Sequence, residues 1–60
     1  MKKNILLVEE DYLIKRFSPV IEEFGYNVTG ITKGDFILEA VKRHSIDLII
    51  LPKEMRVSGP

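Results

Sequence analysis

The feature that most constrains this chain is a run of four apolar residues, Leu48 to Leu51, followed at once by Pro52. A run without polar alternation is typical of a strand that is buried on both faces inside a parallel sheet. Proline cannot donate a ladder hydrogen bond, so it marks the end of the strand. Because open α/β sheets place their sites at the carboxyl ends of strands, Pro52 lies where a functional residue is expected.

Two further stretches predict strands. Asn4 to Val8 is apolar after its first residue and β-branched at Ile5 and Val8, which again indicates a strand buried on both faces. Tyr26 to Ile31 places apolar and polar or small residues in alternation, a pattern that suits a half-exposed strand at a sheet edge. The chain is therefore expected to contain three strands of two kinds.

An amphipathic stretch between the first two strands predicts a helix over Tyr12 to Phe24, and Gly25 is a natural C-terminal stop. Pro19 lies inside this stretch, where it removes one backbone hydrogen bond, so the helix either kinks there or starts afresh near Ser18. The residues expected on its apolar face are Leu13, Phe17, Val20, Ile21 and Phe24.

A second helix is predicted over Phe36 to His44, after a turn at Lys33 to Asp35 in which Asp35 is the expected N-cap. Its last turn is basic, and cations there suit the negative end of the helix dipole. We therefore interpret His44 as a surface residue at a helix end rather than as a catalyst. The residues expected to face the sheet are Ile37, Leu38, Ala40 and Val41.

This β-α-β-α-β order implies a parallel sheet with right-handed crossovers. The two uniformly apolar strands should be neighbours, with the alternating strand outside, which gives the strand order 2-1-3 and one helix on each face. Sixty residues suffice for one small domain. The prediction is a single α/β domain over residues 1–60.

The composition excludes several classes of function. There is no cysteine, which excludes disulfides and thiolate zinc sites, and a lone histidine argues against a transition-metal cage. Nine basic residues balance nine acidic ones, which argues against nucleic-acid binding through net charge. No apolar stretch is long enough to cross a membrane. These features fit a cytoplasmic protein.

Three consecutive carboxylates, Glu9 to Asp11, follow the first strand at its carboxyl end. In one interpretation, Asp11 caps the next helix and the glutamates favour its positive N-terminal end. In the other, clustered carboxylate oxygens bind a hard divalent cation. The sequence alone leaves both interpretations open.

Several stretches, in this order and at these spacings, resemble the response-regulator receiver domain. Lys3 to Asp11 is similar to the opening of that family, Glu22 to Val28 resembles its EE-x-GY-x-V passage, and Asp47 to Leu51 resembles its third strand. Met55 lies where the following loop of a receiver carries Met. The resemblance covers nearly all of this chain and about half of a receiver, so it implies half of a flavodoxin-like fold.

The residues that carry receiver chemistry depart from the family pattern. A receiver accepts a phosphoryl group from a histidine kinase on an Asp at the end of its third strand, and Pro52 occupies that position here. Glu9 and Glu10 match the acidic pair that holds Mg²⁺, although the second member is usually Asp. Arg56 stands where the loop has Pro, and Gly59 falls one residue short of the usual Gly. The family's hydroxyl residue and lysine have no counterpart in these residues.

Three hypotheses follow from this resemblance. The first is a degenerate receiver, or pseudo-receiver, of two-component phosphorelay signalling, which binds itself or a protein partner and is not an enzyme. The second is a truncated or engineered piece of a receiver without an independent function. The third is a weak Mg²⁺-dependent phosphoacceptor through Glu9 or Glu10. No cofactor is expected beyond weak Mg²⁺ at those two glutamates.

In a whole receiver a fourth strand covers the open side of the third strand, and these 60 residues do not contain it. Leu48 to Leu51 are then expected to form an exposed apolar edge, which is a template for pairing with another chain. We predict a homodimer in which Leu48, Ile49, Ile50 and Leu51 pair antiparallel with a second copy about a two-fold axis. A signalling protein is the other expected partner, and neither a nucleic acid nor a membrane is expected.

Overall fold

The computed structural model describes residues 2–53. A three-stranded parallel sheet has the order 2-1-3, so the predicted β-α-β-α-β fold is confirmed. The elements in chain order are β1 Asn4–Val8, α1 Asp11–Glu23, β2 Asn27–Ile31, a 3₁₀ turn Gly34–Phe36, α2 Ile37–His44 and β3 Leu48–Ile50.

The central strand, β1, forms the core. Its residues Ile5 to Val8 are each at most 5% exposed. Leu6 and Val8 face α2 and pack with Ala40. Leu7 pairs with Gly30 of β2 and shares its face, which is the face that α1 covers. The two helices therefore lie on opposite faces of the sheet, as predicted.

A close approach between α1 and β2 holds the first helix on the sheet. A Cβ atom built on Gly30 would lie 2.5 Å from Cγ2 of Ile14, so only glycine leaves room for this side chain. The predicted apolar face of α1 is thus displaced around the helix. Ile14 contacts the sheet, whereas Phe17, Val20 and Phe24 remain 43%, 50% and 76% exposed.

Helix α1 runs unbroken through Pro19, so of the two alternatives for this stretch the new start near Ser18 is wrong. Proline lacks the N–H that would bond to the carbonyl of Lys15, and Lys15 is exposed, so water can satisfy that oxygen. The helix ends at Glu23, one residue before the predicted end, and the predicted stop residue Gly25 has a φ of 91° and donates its N–H to the Glu22 carbonyl at 3.0 Å.

The second helix packs on the opposite face through three of the four predicted residues, Ile37, Ala40 and Val41. The fourth, Leu38, is 67% exposed, because its position points away from the sheet. Asp35 is not the N-cap of α2, since it lies inside the 3₁₀ turn that precedes the helix.

Polar side chains join the three strands at their amino ends. The Asp47 carboxylate accepts the Asn4 N–H at 2.7 Å, and the Asp47 N–H donates to the Asn4 carbonyl at 2.8 Å. On the other side of Asn4, its side-chain oxygen accepts the Asn27 amide at 3.1 Å. Asn4 therefore helps to set the register of both outer strands.

A double-mutant cycle can test the contact between Gly30 and Ile14. Gly30→Ala should lower the free energy of unfolding by about 1–3 kcal/mol, because the added methyl group overpacks the site. The pair Gly30→Ala with Ile14→Ala should cost less than the sum of the two single changes, since the clashing atoms are gone. Urea unfolding of the four proteins measures the coupling, and additive costs would contradict the contact.

Candidate functional site

The first predicted site lies at the carboxyl end of β1. Glu9 is half-buried, and its N–H donates to the Ile31 carbonyl at 3.2 Å, which extends the β1–β2 pairing past Val8. Glu10 is exposed and is the N-cap of α1, and its N–H donates to the Glu9 carboxylate at 3.3 Å. The structure thus places both glutamates between the end of β1 and the start of α1.

The Asp11 side chain forms an ion pair within its own helix. It is the first residue of α1 rather than its N-cap, and no side chain caps this helix, so the prediction that Asp11 is the cap is wrong. Its carboxylate pairs with Lys15, one turn later, at 3.0 Å. Both side chains are exposed, so the pair contributes little to stability. The negative charge does lie in the first turn, where it suits the helix dipole.

A divalent cation at this end of the sheet would therefore depend on Glu9 and Glu10. Within residues 2–53, the structure contains no group of three or more His, Cys, Asp or Glu side chains that could hold a metal ion. Mg²⁺ usually keeps several waters and binds through one or two carboxylates, so two glutamates are a weak site at best. Mg²⁺ binding at Glu9 and Glu10 stays a prediction.

Pro52 follows the last residue of β3 by two positions. The pairing of β1 with β3 places Leu7 beside Ile50. Both strands end before this point, but an extension of the register by two residues would bring Glu9 opposite Pro52. Pro52 is half-buried and offers neither a nucleophilic atom nor a backbone N–H.

The second predicted site is the edge formed by β3. The strand ends at Ile50 rather than Leu51 and is not buried on both faces, contrary to the sequence-based prediction. Leu48, Ile49 and Leu51 are 55%, 38% and 54% exposed. The reason is that α1 contacts mainly β2 and β1, and β3 pairs on one side only within the described residues.

A shallow groove that the sequence did not predict lies between β2 and α2. It encloses about 250 Å³ and is lined by Thr29, Ile31, Phe36, Glu39, Ala40, Arg43 and His44. Arg43 is bonded to Glu39 at 3.3 Å on the helix surface, so its charge is already matched. His44 lies exposed at the end of α2, in the helix-end position that its sequence context indicated. The lining presents no buried polar group that would select a ligand.

Comparison with known proteins adds no family assignment, because no family model, curated protein or solved structure matches this chain. The receiver resemblance therefore stays a prediction from motifs. Three of the positions that entered it, Met55, Arg56 and Gly59, lie outside the described residues. Over residues 2–53, none of the helices has the length and apolar character that a membrane span requires.

The geometry at Glu9 and Glu10 predicts weak Mg²⁺ binding. In a titration followed by amide NMR signals, the two residues should shift without saturating through the millimolar range, because the site has two carboxylates and Asp11 is paired with Lys15. Glu10→Gln should reduce the shift, and Glu23→Gln, a distant exposed glutamate, is the control. A saturating shift at low concentration would show a stronger site than this geometry supports.

Proposed function

We propose that this chain is a receiver-like interaction module of two-component signalling, which accepts no phosphoryl group and acts by associating with a second copy of itself or with a signalling protein. The observation that carries the proposal is the exposed apolar edge of β3, which has no partner strand on its outer side within residues 2–53 and is followed two residues later by Pro52. The strand order 2-1-3, which the strand patterns predicted, is compatible with half of a flavodoxin-like fold.

Phosphoryl transfer is not proposed because the acceptor position lacks a nucleophile. Carboxylates can accept a phosphoryl group, but they need neighbouring positive charge to stabilise the transferring group. Glu9 and Glu10 would instead repel it. Lys15, one turn into α1 from these glutamates, is bonded to Asp11. The protein is therefore proposed to be a binding module rather than an enzyme.

Association is proposed because the exposed strand combines two attractive features. Leu48 and Ile49 present apolar side chains, and an edge strand also presents unpaired backbone N–H and C=O groups. Charged side chains, which commonly protect such edges, are missing between Leu48 and Leu51. Zero net charge provides no long-range repulsion between copies. We propose a cytoplasmic location, where signalling partners of this class operate.

The absence of an acceptor predicts inertness towards a small phosphoryl donor. With acetyl phosphate and Mg²⁺, intact-protein mass spectrometry should detect no species heavier by one phosphoryl group, because Pro52 has no carboxylate. A receiver with an intact acceptor serves as the positive control. A phosphorylated species that disappears in Glu9→Gln or Glu10→Gln would overturn this part of the proposal and favour the phosphoacceptor hypothesis.

The β3 edge predicts concentration-dependent association of the 60-residue chain. Light scattering should give the molar mass of a dimer, and Ile49→Lys should shift it to that of a monomer, because a charge on the strand opposes pairing. Leu38→Lys is the matched control, since Leu38 is an exposed apolar residue on α2, away from β3. An unchanged mass for a folded Ile49→Lys protein would contradict association through this edge.

A further inference from the structure

We infer that the outer edge of β2, together with the groove between β2 and α2, is a second docking site. It takes an extended segment of a partner protein as an added antiparallel strand, with an apolar residue opposite Ile31 and an acidic residue opposite Thr29. This surface lies on the opposite side of β1 from the β3 edge. The inference therefore goes beyond the proposed function and does not depend on it.

Two hydrogen bonds fix the direction of the β2 backbone groups. The Asn27 N–H donates to the Lys3 carbonyl at 2.9 Å, and the Ile31 carbonyl accepts the N–H of the residue after β1 at 3.2 Å. The register between β1 and β2 is continuous over all five pairs, and successive residues of a strand direct their N–H and C=O groups to alternate sides. The N–H and C=O groups of Val28 and Gly30 therefore point to the outer edge.

The outer edge of β2 is open within the described residues. Strand β2 pairs with β1 alone, and Gly30 is exposed. Strand β2 has five residues, against three in β3, and it contains neither a charged residue nor a proline, which commonly block such edges. A partner strand can therefore reach the main-chain groups of Val28 and Gly30, as in recognition by strand addition.

The groove lies beside this edge on the α2 face of the sheet. Thr29 and Ile31 form its floor, since they share a face with Leu6 and Val8, their neighbours in β1. Its wall consists of side chains from the 3₁₀ turn and α2, namely Phe36, Glu39, Ala40, Arg43 and His44. A strand added to the edge directs every second side chain to this face, beside the groove.

The end of the groove next to Ile31 suits an apolar side chain. Phe36 is 52% exposed, and Ile31 is half-buried. The groove encloses about 250 Å³, and a cavity of about 150 Å³ can hold a benzene molecule, so one aliphatic side chain fits. Covering Phe36 and Ile31 removes apolar surface from water, which favours binding. The residue opposite Ile31 is therefore expected to be valine, isoleucine or leucine.

The other end of the groove suits an acidic side chain. Because α2 runs antiparallel to the strands that it connects, its last turn lies near the start of β2, beyond Thr29. That turn is basic and consists of Lys42, Arg43 and His44. Arg43 binds Glu39 through one terminal nitrogen at 3.3 Å, so its other N–H groups can donate to a second carboxylate. An aspartate or glutamate opposite Thr29 complements this charge.

A second copy of this chain fits the site less well than another protein does. Antiparallel pairing of two β2 strands through their outward groups brings Gly25, Asn27 or Thr29 of the other copy opposite Ile31, depending on where the two-fold axis lies. None of the three supplies a large apolar side chain beside Phe36. The occupant is therefore a strand of a different protein, in which an apolar residue precedes an acidic one by two positions.

An NMR titration with the capped peptide Thr-Val-Thr-Glu-Thr-Thr tests the site. The amide signals of Val28 and Gly30 should shift most and exchange more slowly with solvent, because these N–H groups gain partners. N-methylation of the peptide's third or fifth residue, opposite Gly30 and Val28, should abolish binding. N-methylation of its glutamate should be tolerated, because that N–H points away from β2 in the antiparallel register.

Substitutions separate the two side-chain contacts. Phe36→Ala should weaken peptide binding about threefold to tenfold, because less apolar surface is covered. Arg43→Gln should weaken it about twofold to fivefold, and less at high salt, because the lost ion pair is exposed. Leu38→Ala, on the exposed side of α2, is the matched control and should bind normally. Ile49→Lys should also bind normally, since the β3 edge is not involved.

The outcomes distinguish the possible occupants. No shift in the millimolar range of peptide, or shifts that leave Val28 and Gly30 unchanged, would overturn the inference. Equal loss of binding from N-methylation of the glutamate and of its neighbours would overturn the antiparallel register. Protection of Val28 and Gly30 from exchange that rises with protein concentration, without peptide, would assign this edge to a second copy and would also overturn the inference.

Discussion

The structure depends on the burial of β1. This strand is paired on both of its edges and covered on both of its faces, so its apolar residues lose almost all contact with water. The α1 face meets Leu7 beside Gly30, and the α2 face meets Leu6 and Val8. Every other element is held by contact with β1 or with a neighbour of β1. A polar residue at Leu6, the most deeply buried position, would therefore lose its hydration without a partner and disturb the packing of α2 on the central strand.

Strand order and helix positions could be predicted because they follow from local patterns. A uniformly apolar run favours the middle of a parallel sheet, and alternation favours its edge. The same reasoning failed for β3, because uniform apolarity shows that a strand suits burial but does not supply the atoms that bury it. Leu48 remains more than half exposed for this reason.

Prediction from the sequence was limited in a similar way on the helices and at the candidate site. The apolar arc of α1 is wider than the strip that touches the sheet, so periodicity could not reveal that Ile14 rather than Phe17 meets β2. The location of Glu9 and Glu10 at a strand end was predictable from order alone. The Asp11–Lys15 pair was also readable from its four-residue spacing, although it was not predicted. The groove between β2 and α2 was not predictable, because it depends on how the two elements pack.

The bond between Asn4 and Asp47 joins residues 43 positions apart. During synthesis on the ribosome, β1 emerges first, and its second neighbour, β3, is made only after nearly the whole of the described chain. A nascent chain can form the β1–α1–β2 unit, but one side of β1 stays unpaired until β3 has been made. Helix α2 precedes β3 in the chain and covers Leu6 and Val8 on one face of β1, but only β3 pairs the backbone groups along its second edge.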